Sequence, residues 1–290
     1  MDITQTFYDD LASQYDQLFL DWQSTTREQA VILDKIFRDH GFDTTARVLD
    51  CACGIGTQAI GLAALGYPVT ASDISEGELA EARQRAAQNN VEILFKQADF
   101  RALGEAFSQP FDIVIVMDNA LPHMLTKSAL EAAIQSITNQ MAPGGLFAAS
   151  IRDYDALLQS RPPYSPPYIH QTEQGQRVSF QTWTWDGDHY RLVQYIIDDE
   201  SALSVSKFTC EYRATRRAEL TELLRSCGIT PERQKVIVLK SAQHYRGSYT
   251  PITDRMLSVE TPAAASQCIG NFDLNRCRRP MYPLDQEVVF

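Results

Sequence analysis

Residues 48–57, which read Val-Leu-Asp-Cys-Ala-Cys-Gly-Ile-Gly-Thr, constrain this chain more than any other stretch. Residues 47–49 close an apolar run that predicts a buried strand. Gly54 and Gly56 let the backbone turn tightly and approach a ligand with no Cβ in the way. Residues 57–65 predict a helix that ends at Gly66. Strand, glycine turn and helix together form the arrangement that binds nucleotide-like ligands at the carboxyl edge of an open α/β sheet.

Two ligand classes use that geometry. Residues 54–59 fit the dinucleotide fingerprint, Gly-x-Gly-x-x-Ala, which is weak on its own. Asp50 argues against it. It ends the strand four residues before Gly54, so the turn is longer than a pyrophosphate loop needs, and a carboxylate suits a cation better than a phosphate. S-adenosylmethionine (SAM) carries an amino group, a sulfonium and a ribose but no phosphate. The Asp-x-x-x-Gly-x-Gly pattern behind an apolar run resembles motif I of the class I SAM-dependent methyltransferases. That resemblance implies a Rossmann-like α/β fold with a mostly parallel sheet of about seven strands. Asp50, Cys51, Gly54 and Gly56 are then cofactor residues, with the small Cys51 side chain fitting the turn.

The following residues fit the same scheme. Residues 69–73 predict the second strand, and Asp73 ends it where a carboxylate accepts both ribose hydroxyls. Ile74 follows it at the cofactor. Ser75 to Glu78 predict a capping box that opens a helix through about residue 87. Residues 91–98 predict a third strand, ending in Asp99, an acceptor for the adenine amine, and Phe100, a platform for its ring. Residues 111–117 predict a central parallel strand, continuous and β-branched, which runs into the polar loop 118–123. Ser128 and Glu131 are expected to cap the next helix, and residues 146–151 form the fifth strand.

Residues 1–24 mix tyrosines with acids without clean periodicity. They predict either a solvated arm or a lid whose tyrosines, Tyr15 among them, close on the cofactor; such a tyrosine-rich segment resembles the N-terminal part of many small-molecule methyltransferases. Residues 25–39 predict a helix with Arg27 in its first turn, a placement that suggests an anionic partner such as the SAM carboxylate. From residue 152 the pattern changes. A proline-stiffened loop at 161–168 precedes a hairpin, 177–185 and 189–197, around Asp-Gly-Asp, and then a strand at 207–214. These antiparallel strands predict a cap insertion at 152–214. Residues 215–259 return to the core with a helix and strands at 234–240 and 249–259, and 260–290 predict an irregular tail.

A net charge of −11 and a pI near 4.9 disfavour a nucleic-acid partner or an anionic membrane. The six cysteines, 51, 53, 210, 227, 268 and 277, show no Cys-x-x-Cys or zinc spacing, so no metal is expected. The N-terminus lacks a signal pattern, and the longest apolar run is far too short to span a bilayer. A soluble, cytoplasmic protein is the expectation. Nothing in the sequence sets an oligomeric state.

Three later stretches resemble the glycine and sarcosine N-methyltransferases within this family: residues 117–123 (Met-Asp-Asn-Ala-Leu-Pro-His), 151–155 (Ile-Arg-Asp-Tyr-Asp) and 207–212 (Lys-Phe-Thr-Cys-Glu-Tyr). The resemblance implies that Met117 abuts the adenine and His123 lines the cofactor pocket. It implies that Arg191 holds a substrate carboxylate and that Tyr212 lies over the methyl group. Asp153 stands where that group has an asparagine, which favours an ammonium or hydroxyl over a second acid oxygen. His123, Asp153 and Tyr212 are the candidate catalytic residues; Arg191, Asp153 and Tyr212 are the candidate substrate residues. The expected reaction is methyl transfer to a small molecule, an amino-acid-like amine first. A hydroxyl acceptor, a SAM-binding protein without turnover and a NAD-binding module stay open.

Overall fold

The computed structural model describes residues 2–171, 175–199 and 203–229. The strands expected at 234–240 and 249–259, the tail, Cys268 and Cys277 lie outside the described residues. In chain order the regular elements are α1 (Ile3–Leu11), a 3₁₀ turn (Ala12–Leu18), α2 (Trp22–Asp39), β1 (Val48–Asp50), α3 (Thr57–Ala64), β2 (Val69–Asp73), α4 (Glu76–Gln88), β3 (Leu94–Gln97), α5 (Leu103–Ala106), β4 (Phe111–Val116), α6 (Lys127–Asn139), β5 (Met141–Ala149), α7 (Tyr154–Ser160), β6 (Tyr168–Gln171), β7 (Gln176–Asp186), β8 (His189–Asp198), β9 (Ser204–Arg213) and α8 (Arg217–Ser226). No helix among the described residues is long and apolar enough to cross a membrane.

The first sheet has the order β3-β2-β1-β4-β5 and is parallel throughout. Five of the expected strands are thus described. Successive residues of β4 serve opposite faces: Ile113 and Ile115 join one apolar cluster with α2 and α3, and Val114 and Val116 join the other with α6. A strand covered on both sides reads as an unbroken apolar run because both of its faces are buried. Order reverses between β1 and β4, so their outgoing loops, which lead to opposite sides, part and leave a crevice.

The second sheet is antiparallel, β6-β7-β8-β9. Its Trp183, Tyr190, Leu192 and Tyr212 belong to the same cluster as Val114, Val116 and Phe147 of the parallel sheet. The two sheets therefore share one core face. The strand β6 and the helix α7 were not expected from the sequence.

Local capping adjusts several expected boundaries. Asp21 accepts the Ser24 N–H and starts α2 at Trp22, three residues earlier than expected. Thr126, not Ser128, accepts the Ala129 N–H and starts α6. Ser75 caps α4 as expected, but the reciprocal half of the capping box is not made. The Ser75 N–H donates to Asp73, and both Glu78 carboxyl oxygens are buried without a partner.

The N-terminal arm is not a solvated tail. Phe7 and Leu11 are 6% and 2% exposed and join the main core. Asp9 accepts from Ser75 Oγ (2.6 Å) and the Gly77 N–H (3.0 Å). A Cβ on Gly77 would lie 3.1 Å from Asp9 Cα, so the glycine admits the arm's backbone.

A similar close approach joins α2 to α3. A Cβ on Gly61 would lie 2.6 Å from the Thr26 carbonyl oxygen and 2.7 Å from Ala30 Cβ. Gly61→Ala should destabilise the fold by about 1–3 kcal/mol through overpacking, despite the roughly 1 kcal/mol helix-propensity gain of alanine. Urea unfolding measures it, and an equal or higher midpoint would contradict the close packing.

Candidate functional site

The site starts at the glycine turn. Gly54 and Gly56 have φ of +53° and +89°, and a Cβ on Gly56 would meet Ile60 at 2.8 Å. The turn is tied to the next strand by Asp73. Its Oδ2 accepts the Gly54 N–H (2.9 Å) and its Oδ1 the Ser75 N–H (3.0 Å). Burial raises the Asp73 pKa, and the backbone N–H groups of Ser75, Gly54 and Ile74 oppose that rise.

Beside this turn lies a cleft with about 800 Å³ of empty space, part of it open to solvent. Tyr15, Cys51, Gly54, Asp73, Ile74, Asp99, Phe100, Met117 and His123 line it together, although they come from separate parts of the chain. Tyr8, another tyrosine of the arm, lines it too; the sequence reading missed Gln58, Arg101 and Asp118, which also line it. Gln58 Nε2 donates to Asp118 Oδ2 (2.8 Å) and Gln29 Oε1 (2.6 Å). The position of Gln58, just after the glycine turn at the start of α3, was the available signal. Asp2, Asp73, Asp99 and Asp118 supply the lining's acids. Its arginine, Arg101, is bonded to Asp99 and lies 3.2 Å from Asp2. This donor set fits a ligand with hydroxyls and positive charge, and does not fit a pyrophosphate.

Three expected cofactor residues are placed elsewhere. Asp50 is fully buried beneath the turn and is not part of the lining. Its Oδ1 faces the Ala52 N–H at 3.4 Å, Oδ2 has no partner, and burial pushes its pKa up to about 8. Gly56 shapes the turn without lining the cleft. Arg27 is a correction: because Asp21 starts α2 early, it lies beyond the first turn, on an exposed face and away from the lining.

His123 is among the residues that line the cleft. Its Nε2 is 2.8 Å from Tyr8 Oη, and its Nδ1 has no hydrogen-bond partner. Burial lowers its pKa to about 3, so the imidazole is neutral at pH 7. Its ring lies 4.1 Å from the ring of Tyr212, which stacks in turn on Tyr190 at 5.3 Å.

A second cavity, of about 740 Å³, opens between the cap sheet and α7. Arg152 and Asp153 line it with Gln181, Trp183 and Gln194. The guanidinium carbon of Arg152 is 5.6 Å from the centre of the Tyr212 ring. Tyr212 lines neither cavity but lies close to a residue of each, His123 of the first and Arg152 of the second.

The expected position of Arg191 over the cleft is also corrected. Strand alternation buries Tyr190, Leu192 and Gln194 of β8 and leaves Arg191 exposed on the opposite face, paired with Thr184 and Glu211. The arginine that lines the second cavity is Arg152, beside the singled-out Asp153. It is positioned by the β4 loop. Asp118 and Asn119 adopt positive φ (51° and 72°). Their N–H groups donate to Ser150, and Asn119 Oδ1 accepts from the Arg152 N–H (3.1 Å) and Tyr154 Oη (3.0 Å).

Residues 48–145 match the family described as Methyltransferase domain. A second match, to the MlrC C-terminus, covers residues 213–276, most of them outside the described residues. The chain is 29% identical to the glycine N-methyltransferase of Oryctolagus cuniculus over 242 residues, 76% of this chain and 81% of that protein. It is 33% identical to a ubiquinone biosynthesis O-methyltransferase of Caulobacter sp. (strain K31) over 127 residues, 43% of this chain and 48% of that one. Its fold matches a SAM-dependent methyltransferase from Clostridium acetobutylicum ATCC 824 with a TM-score of 0.61 at 17% identity, covering 76% of this chain and 87% of that one. Glycine turn, acid-lined cleft, strand order and relatives agree: the chain is a class I SAM-dependent methyltransferase.

Proposed function

We propose that this enzyme methylates the amine of a small, amino-acid-like acceptor. The observation that carries this reading is a pair of cavities, each with one lining residue, His123 or Arg152, close to the same Tyr212 ring. A two-substrate transfer needs a donor site and an acceptor site whose contents meet at one point. The proximity of Tyr212 to both His123 and Arg152 supports a meeting point beside its ring. The glycine N-methyltransferase named above, matched over most of its length, supports nitrogen as the nucleophile.

In this reading Asp73 accepts the ribose hydroxyls, Asp99 and Phe100 hold the adenine, and Met117 abuts it. The arm, residues 2–24, is a lid that brings Tyr8 and Tyr15 onto the cofactor. SAM supplies a methyl group on a sulfonium, a leaving group that is already activated. The remaining task is alignment, which can contribute several kcal/mol. A neutral acceptor amine attacks the methyl carbon in line, the carbon–sulfur bond breaks with its electron pair staying on sulfur, and the new ammonium then loses a proton. Tyr212 and Asp153 orient the nucleophile. The neutral His123 fixes Tyr8 through their shared hydrogen bond.

That same neutral imidazole gives a hydroxyl acceptor its one structural support, because an oxygen nucleophile needs a base. Incubating the enzyme with methyl-labelled SAM and a panel of amines, amino acids and phenols, followed by product analysis, tests both. Labelled N-methyl product is expected. Exclusive O-methyl product would overturn the amine assignment, and an absence of transfer to every member would overturn the small-molecule reading.

Asp73→Ala should weaken S-adenosylhomocysteine (SAH) binding by about 1–3 kcal/mol, the scale of hydrogen bonds to a charged group. Calorimetric titration reads this directly, and an unchanged affinity would remove Asp73 from the ribose. Tyr8→Phe deletes the hydroxyl that meets His123 and should lower kcat/KM roughly fivefold, about 1 kcal/mol. Wild-type kinetics in that variant would show that the arm's contact with His123 is not used in turnover.

A further inference from the structure

We propose that the cavity between the cap sheet and α7 selects an α-amino acid with an apolar side chain. Arg152 takes the carboxylate and Asp153 the amine N–H. The inference rests on the methyltransferase reading above and adds the acceptor's chemistry to it.

Arg152 is the first reason. A guanidinium has five N–H donors, and the protein engages two of its nitrogens: Nη1 donates to Tyr190 Oη and Nη2 to Gln181 Oε1, both at 3.0 Å. No carboxylate of the described residues forms an ion pair with it. It is held above the rings of Trp183 (5.1 Å) and Tyr212 (5.6 Å). Partly enclosed positive charge without a counter-ion is unfavourable, and a carboxylate meets a guanidinium through two parallel hydrogen bonds.

A chain of amides keeps the guanidinium in this pose. Gln181 Oε1 also accepts from Trp183 Nε1 (3.1 Å), and Gln181 Nε2 donates to Gln194 Oε1 (2.9 Å). Gln194 Nε2 then donates to the carbonyl oxygens of Phe180 and Tyr195. Each link fixes the orientation of the next, so the oxygen of Gln181 faces Arg152.

Asp153 is the second, independent reason. Its Oδ1 caps α7 by accepting the Ala156 N–H (3.2 Å), while Oδ2 has no partner and the residue is only 6% exposed. Although adjacent in sequence, Arg152 and Asp153 do not pair with each other. Both line one cavity, each with unused capacity of opposite sign. A ligand with an anion and an N–H donor close together satisfies both, and a neutral amine does so while keeping its lone pair for the methyl carbon. Leu18, Leu157 and Phe180 add apolar wall to the same cavity, which an apolar side chain covers.

The test uses the full chain loaded with SAH and titrated calorimetrically with four probes: L-phenylalanine, L-phenylalaninamide, 3-phenylpropionate and glycine. Phenylalanine should bind tightest. The amide, which lacks the carboxylate, and 3-phenylpropionate, which lacks the amine, should each bind about tenfold or more weaker, the scale of a lost hydrogen bond to a charged group. Glycine, with no side chain, should also bind more weakly. Asp153→Asn keeps an oxygen for the α7 cap; it should weaken phenylalanine and leave 3-phenylpropionate unchanged. Arg152→Lys should abolish the preference for phenylalanine over its amide, since lysine cannot reproduce the fork. Retained SAH binding shows that these variants are folded. Equal binding of phenylalanine and its amide by the wild type, or no binding of phenylalanine, would overturn the proposal without a variant. Failure of the wild type to load SAH would overturn the proposed function instead.

Discussion

The two hydrogen bonds from the Gly54 and Ser75 N–H groups to Asp73 anchor much of what surrounds them. One carboxylate ties the loop after β1 to the loop after β2. It is buried, and a buried carboxylate without donors is strongly unfavourable. The glycine turn must therefore keep its N–H aimed at Asp73, and the start of α4 must keep Ser75 in place. Ser75 Oγ in turn donates to Asp9 of the arm. Strand ends, glycine turn, helix start and arm are thus linked by a short run of polar contacts around one side chain.

The opposite side of the site is built on aromatic packing. Tyr212 packs at a tilt against His123 and stacks on Tyr190, Tyr190 contacts Trp183 and Trp185, and Arg152 lies above Trp183 and Tyr212. This cluster carries the cap sheet onto the parallel core. It also explains why no second apolar core separates the two sheets: the cap's inner face is the outer wall of the site. Burial in this cluster keeps His123 neutral, so its bond to Tyr8 joins two uncharged groups.

The parallel core was legible because its signals are local. The strand-turn-helix at 48–65 and the β-branched run of β4 follow from residue type and spacing, and so does the carboxylate ending β2. The site beyond the core was less so. Arg27 was misplaced because Asp21, four residues before the assumed helix start, proved the stronger cap. Arg191 was misplaced because strand alternation decides which face a side chain takes, and the register of β8 against β9 is a long-range fact. Arg152 lay in a quoted motif but was not singled out; its importance depends on Gln181 and Tyr190, about 30–40 positions away. The arm was ambiguous because aromatics interleaved with acids show no periodicity until Asp9 meets α4 and Phe7 meets the core.

The three tryptophans divide between the two halves of the molecule. Trp22 donates its indole N–H to Thr57 Oγ1 (2.9 Å), beside the glycine turn and on the wall of the first cavity. Trp183 lines the second cavity, with its N–H on Gln181, and Trp185 packs beside it with its N–H on the Pro162 carbonyl. The protein thus carries a built-in optical reporter at each end of the transfer. Emission from Trp22 follows the polarity around the start of α3, whereas that of the Trp183–Trp185 pair follows the hydration of the cap. A variant with a single tryptophan on either side would resolve the filling of one chamber from the filling of the other, and with it the order in which the two substrates arrive.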